Sequence, residues 1–197
     1  MTLKIFDLYD MAEVKVSDMA LAPYINIQPK LLIKSHGRNV GKFTQTKVHI
    51  IERLSNRLNV PGHVGKKHKI ISSHASGKYN TNMQTILETL VIIAERKKMN
   101  PVQVLIKAIE NASPRDEITT IEYGGARYPQ AVDVSPLRRV NLAIRWMAQG
   151  AFQKSFGKKK KMAESLATEI MNAADLNMES YALNKKNEAE KQADSAR

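Results

Sequence analysis

Apolar positions recur at helical spacing along most of the chain after residue 46 and almost nowhere before it. Residues 47–59 set Val48, Ile51, Leu54, Ser55 and Leu58 on one side of a helix, and Pro61-Gly62 stops it. Residues 81–98 repeat the pattern with Met83, Leu87, Leu90 and Ala94, beside Ile86 and Ile93. That stretch closes on Arg96, Lys97 and Lys98, cations at the end of a helix where its dipole favours them. Asn100-Pro101 restarts a helix running to residue 111, with Val102, Leu105, Ile106 and Ile109 inward. The strongest pattern follows Ser135-Pro136, a hydroxyl N-cap and a proline at the first helical position. There Leu137, Val140, Ile144, Met147 and Ala151 form one face. Residues 162–175 place Leu166, Ile170 and Ala174 inward, and 176–197 carry only a weak stripe of Ala182, Leu183, Ala189 and Ala193.

The interruptions are as informative as the helices. Residues 115–134 are the only strand-like stretch, turning at Gly124-Gly125, a pair suited to a two-residue turn that needs positive φ twice. A lone hairpin is marginal in water, so this one reads as a projecting arm. Residues 19–46, with Pro23, Pro29, Gly37 and Gly41, show no helical period and read as an extended basic arm that orders only on a partner. The basic loop at 61–79 is long for a compact domain, which marks it as functional or disordered, and the same dependence on a partner is expected of it. The fold class is therefore mainly α: a bundle of about six helices, one protruding β-hairpin and an extended N-terminal arm. The organisation predicted is an extension at 1–46, a helical nucleic-acid-binding domain at 47–175, and a helical tail at 176–197.

Charge sharpens this picture. The net charge of +12 is unevenly spread: residues 19–78 hold eleven Lys and Arg against Glu52 alone, and 79–161 hold fourteen against seven. Both ends are mildly acidic. A segment so poor in acids cannot neutralise itself and calls for an external polyanion. There is no cysteine, which excludes disulfides, thiolate zinc sites and cysteine nucleophiles. No apolar run approaches the ~20 residues of a membrane span, and the N-terminus lacks a signal-peptide core, so a cytoplasmic protein is expected. His63, His68 and His74 share a loop but match no compact ligand spacing, and no phosphate-cradling loop or catalytic triad is present. Glu88, Glu95 and Glu110 read as solvated helix-surface carboxylates. Neither an enzyme, a metal nor a cofactor is expected.

One detail has the wrong sign. Arg138 and Arg139 stand in the first turn of their helix, where the dipole is positive and each cation costs roughly 0.3–1 kcal/mol. A phosphate at that helix start reverses the penalty, because backbone N–H groups and both guanidinium groups then favour the same anion. On this reading the two arginines are misplaced only while the protein is alone, and exchanging both for Glu should leave the free fold intact.

The stretch from "NPVQVLIKAIENASPRDEITTIEYGG" to "VDVSPLRRVNLAIRWMAQGA" closely resembles the universal small-subunit ribosomal protein seven family, including the hairpin between two helices and the V-D-V-S-P-x-R-R helix start. The N-terminal arm, the Pro-Gly loop leading to Gly65-Lys66-Lys67 and the ending "DSAR" are similar to its archaeal and eukaryotic branch. The resemblance implies a structural role in the small subunit: binding the 3′ major domain of small-subunit rRNA and nucleating head assembly. The hairpin and C-terminus would then lie near exit-site tRNA and the mRNA path. It implies rRNA contacts at Lys66, Lys67, Arg138 and Arg139 and a hairpin tip of Tyr123, Gly124, Gly125, Arg127 and Tyr128. The basic residues of arm, loop and helices extend that rRNA-binding set to Lys34, Arg38, Lys42, Lys69, Lys78, Arg115, Arg145, Lys158 and Lys159. Partners expected are rRNA, neighbouring head proteins, exit-site tRNA and mRNA, with no membrane and no homo-oligomer. A free architectural nucleic-acid-binding protein is the alternative. The loop at 68–79 departs from the family pattern, as does the tail at Asn184, Ala189 and Gln192.

Overall fold

The structure, a computed structural model, describes residues 4–29, 32, 41, 43–64 and 75–197. Among these, six α-helices surround a common core: α1 (Ile50–Leu58), α2 (Tyr79–Lys97), α3 (Pro101–Ala112), α4 (Pro136–Ser155), α5 (Met162–Ala174) and α6 (Tyr181–Asp194). Between α3 and α4 stands the antiparallel hairpin of β1 (Asp116–Tyr123) and β2 (Ala126–Asp133). α5 runs through the middle, packed on α2, α3 and α4. Its Ala163, Leu166, Ala167, Ile170, Ala173 and Ala174 are all buried, and the small residues let three neighbours approach it closely.

The helix boundaries follow local chemistry. α1 starts at Ile50 because His49 Nδ1 accepts the Ile51 N–H at 3.2 Å, while residues 44–47 form a short 3-10 turn. Asn100 caps α3 by accepting the Val102 N–H at 3.1 Å, and its own amide donates to the Asp10 carbonyl at 2.7 Å. α4 opens at Pro136 as the sequence predicts, but the Ser135 hydroxyl makes no capping bond. Only its carbonyl takes part, accepting the Arg139 N–H at 3.0 Å.

The N-terminal region departs from the sequence reading. The pattern predicts that residues 19–29 are extended chain ordering only on a partner, yet Leu21 and Ile25 are buried in the core, together with Ile5, Met11 and Val14 upstream. The segment lacks α-helix and is still part of the body, because it is held by single apolar anchors and by side chains of α3. Glu110 Oε1 accepts the N–H groups of Ser17 and Asp18 at 2.6 and 3.0 Å, and Gln103 Oε1 accepts that of Lys15 at 2.8 Å. Glu110 is thus a backbone clamp, not a solvated carboxylate. From α1, Arg53 donates to the Tyr24 carbonyl at 2.7 Å. Most of the remainder of the predicted arm, 30–31, 33–40 and 42, lies outside the described residues, as does 65–74 of the long loop.

The hairpin is the arm that the sequence predicts. Gly124 and Gly125 have φ of 57° and 83°, and β1 pairs with β2 from Asp116↔Asp133 to Tyr123↔Ala126. Only its base touches the body. There Arg197, just after α6, pairs with Asp116 at 2.6 Å, and Glu190 Oε1 of α6 accepts the Arg115 N–H at 3.0 Å, so α6 and the residues after it brace the start of the hairpin.

α6 itself is docked through a buried carboxylate. Glu169 is fully buried, accepts from Ser180 Oγ at 2.7 Å and the Ala182 N–H at 3.0 Å, and pairs with Lys154 at 2.6 Å. An anion there also meets the positive end of the α6 dipole. α4 must come close for this: a Cβ on Gly150 would lie 2.7 Å from Tyr181 Cβ and 3.0 Å from Glu169 Cδ.

Candidate nucleic-acid interface

Proline at the first position fixes where α4 begins, and so fixes Arg138 and Arg139 in a first turn that contains no acid. The dipole penalty expected there is met from elsewhere in the chain. Arg138 makes a two-pronged pair with Glu117 of β1, Nε to Oε1 at 2.6 Å and Nη2 to Oε2 at 2.8 Å. Arg139 Nη2 lies 3.2 Å from Asp18 Oδ2 of the N-terminal segment. The reading of both charges as uncompensated without an external anion is therefore corrected, although Arg139 Nε keeps no hydrogen-bond partner among the described residues. The compensating acids are 21 and 121 residues away, beyond anything a helical wheel displays.

The two arginines are not equivalent. The Arg139 side chain is 13% exposed and Arg138 is 56% exposed. Arg139 faces the fold, and Arg138 faces outward with a partner that solvent can also reach.

Further along α4, Arg145 is exposed on the same outer side, close enough to Arg57 of α1 to act on its charge. Burial and then the Arg145 cation both lower the Arg57 pKa. Nε and Nη2 of Arg57 have no hydrogen-bond partner among the described residues. One turn back, Arg53 donates to Asn141 Oδ1 at 2.9 Å, and burial pulls its pKa down to about 10. Between α4 and the residues that precede α1 lies a cleft of 270 Å³ lined by Tyr24, Phe43, Arg138, Asn141, Leu142 and Arg145. Phe43 is 64% exposed and held at φ 61°, a left-handed conformation that a bulky residue seldom adopts. Like charges beside an exposed ring make a surface that an anion with a planar aromatic group would stabilise.

Of the sequence-predicted contacts, Arg138 and Arg145 come together here, while Arg139 beside them faces the fold. Lys78, Lys158 and Lys159 are exposed near the other end of α4, ~30 Å along a 20-residue helix. Arg115 is exposed at the hairpin base. Lys34, Arg38, Lys42, Lys66, Lys67 and Lys69 lie outside the described residues, as do His68 and His74. Sequence reasoning missed Arg57 and Phe43. Arg57 was accessible as the i+4 neighbour of Arg53 on one predicted helix; Phe43 carries no periodic signal at all.

At the tip, Tyr123 is 81% and Tyr128 is 60% exposed. The register puts both on one face with Ile121, whereas Arg127 pairs across to Glu122 on the other. No helix of the described residues is long and apolar enough to cross a membrane.

The sequence profile of the family described as ribosomal protein S7p/S5e matches residues 27–197. The chain belongs to this family. It is 51% identical to small ribosomal subunit protein uS7 of Nanoarchaeum equitans over the whole of both chains. It is 44% identical to the uS7 of Methanothermobacter thermautotrophicus over 98% of each, and 43% identical to that of Archaeoglobus fulgidus over 99% of this chain and 95% of the other. The relatives are of archaeal type, and the ribosomal protein S7p/S5e family is one of structural components without enzymatic activity.

Proposed function

We propose that this chain is a structural constituent of the cytoplasmic small ribosomal subunit and binds the 3′ major domain of small-subunit rRNA through the face shared by α1 and α4. The observation that carries this is the cleft where Arg138 and Arg145 stand beside the exposed Phe43 ring, with Arg57 of α1 near enough to Arg145 for its charge to be felt. Phosphate oxygens supply negative charge to the exposed guanidinium groups of Arg138 and Arg145. Arg138 takes part when a phosphate displaces Glu117, since the exposed half of a surface pair is exchangeable for a better anion. Arg139 positions the N-terminal segment through Asp18. Docking of the body in this way nucleates assembly of the subunit head and leaves the hairpin tip, with Tyr123 and Tyr128, toward exit-site tRNA and mRNA.

Binding of the full chain to a transcript of the 3′ major domain, with a transcript of another rRNA domain as competitor, tests this reading. The expected result is tight, salt-sensitive binding that the competitor does not displace. Equal affinity for both transcripts would instead describe a general polyanion binder.

A further inference from the structure

A second cleft, of 370 Å³, lies at the C-terminal end of α4, whose start carries Arg138, and reaches Leu58 of α1. Its floor is aromatic: Phe152 is buried, and Phe156 stacks at an angle above it with ring centroids 5.2 Å apart and an interplanar angle of 35°. Phe156 follows the last residue of α4 in an extended conformation and is 54% exposed. Among the described residues this ring rests on a buried one and keeps more than half of its surface open to solvent, a platform for a planar partner. α2 adds Thr81, Asn82 and Thr85 along the cleft, so hydroxyl and amide groups accompany the rings. The rim is cationic. Lys78 and Lys160 line it, Lys158, Lys159 and Lys161 are exposed chain neighbours of Lys160, and among the described residues no carboxylate lines it.

We propose that this cleft receives an unstacked nucleobase of single-stranded rRNA, which lies against Phe156 while its phosphates rest among Lys78 and Lys160. Aromatic platform, hydrogen-bonding wall and basic rim occur together here, and each answers one part of a nucleotide. An apolar side chain of a protein partner would need only the floor and would leave the lysine rim unanswered. The proposal rests on the rRNA-binding reading above and adds a site ~27 Å from Arg138 and ~16 Å from Arg145 along α4.

The test uses the full chain and the 3′ major domain transcript. Phe156→Ala should weaken binding about 5- to 150-fold, the range for loss of one stacked base, without changing the slope of log K against log salt. Lys160→Ala should weaken binding less and reduce that slope by roughly 0.7–0.9. Phe156→Trp should keep the affinity and show fluorescence quenched by the transcript, read as a difference from the parent chain, whose single tryptophan is Trp146. Phe156 is exposed, so thermal unfolding of the alanine variant should match the parent. If it does not, the tryptophan quenching decides alone. Normal transcript affinity in Phe156→Ala, or an unquenched signal from the Phe156→Trp variant, overturns the proposal; normal affinity joined to poor incorporation into particles would assign the cleft to a protein. Failure of the parent chain to bind the transcript would overturn the rRNA-binding reading itself.

Discussion

Residues 4–29 and the hairpin at 116–133 both leave the helical bundle as extended chain, and both return one carboxylate to the start of α4. Asp18 comes from the first and holds Arg139; Glu117 comes from the second and holds Arg138. There the likeness ends. The N-terminal segment buries Ile5, Met11, Val14, Leu21 and Ile25 in the common core, whereas the hairpin leaves Ile118, Ile121, Tyr123 and Tyr128 exposed. An extended segment belongs to the body when its apolar residues find pockets one by one, and to the surroundings when they do not. The same helix turn thereby acquires a structural arginine and an exchangeable one.

The largest expected effect lies in the buried segment. Leu21→Ala should destabilise the free protein by about 2–5 kcal/mol, as deletion of a fully buried side chain does, measured by urea unfolding. An effect below about 1 kcal/mol would make residues 4–29 a loosely held arm after all. Next comes Arg139→Ala, which strands Asp18 beside a partly buried site and should cost about 1–3 kcal/mol. It follows that changing both arginines to Glu will not leave the fold untouched, because the carboxylate introduced at position 139 would face Asp18. Arg138→Ala should shift unfolding by less than about 1 kcal/mol, since its pair with Glu117 is half exposed. Smallest is removal of the tip: deleting residues 122–128 and closing with a short turn should leave the melting temperature nearly unchanged and particle assembly near normal. Exit-site tRNA retention or reading-frame maintenance should fall in such particles. A deletion that blocks incorporation would make the hairpin an assembly element.

The helices were legible because α1 to α5 each carry a continuous apolar stripe, and proline, glycine or asparagine marks most of their ends. The hairpin was legible from Gly124-Gly125. The fate of residues 19–29 was not, because Leu21 and Ile25 are anchors without a period, and their partners lie on helices that come later in the chain. The docking of α6 was hidden for a related reason. Its own stripe is weak, and the group that secures it, Glu169, sits on α5. At the interface, sequence showed the two misplaced arginines but not their counter-charges, since Asp18 and Glu117 reach them only through tertiary structure. Arg145 was visible as a surface cation. Its effect on the charge of Arg57 needed α1 and α4 side by side.

The salt dependence of rRNA binding by single arginine variants most directly separates a phosphate-binding face from one that is merely basic. With the 3′ major domain transcript, Arg57→Ala and Arg145→Ala should each lower the slope of log K against log salt by roughly 0.7–0.9, and Arg138→Ala should do the same. Arg139→Ala should lower stability and leave the slope as it is. Unchanged slopes for Arg57→Ala and Arg145→Ala, with parental affinity, would contradict the assignment of the α1–α4 face to rRNA.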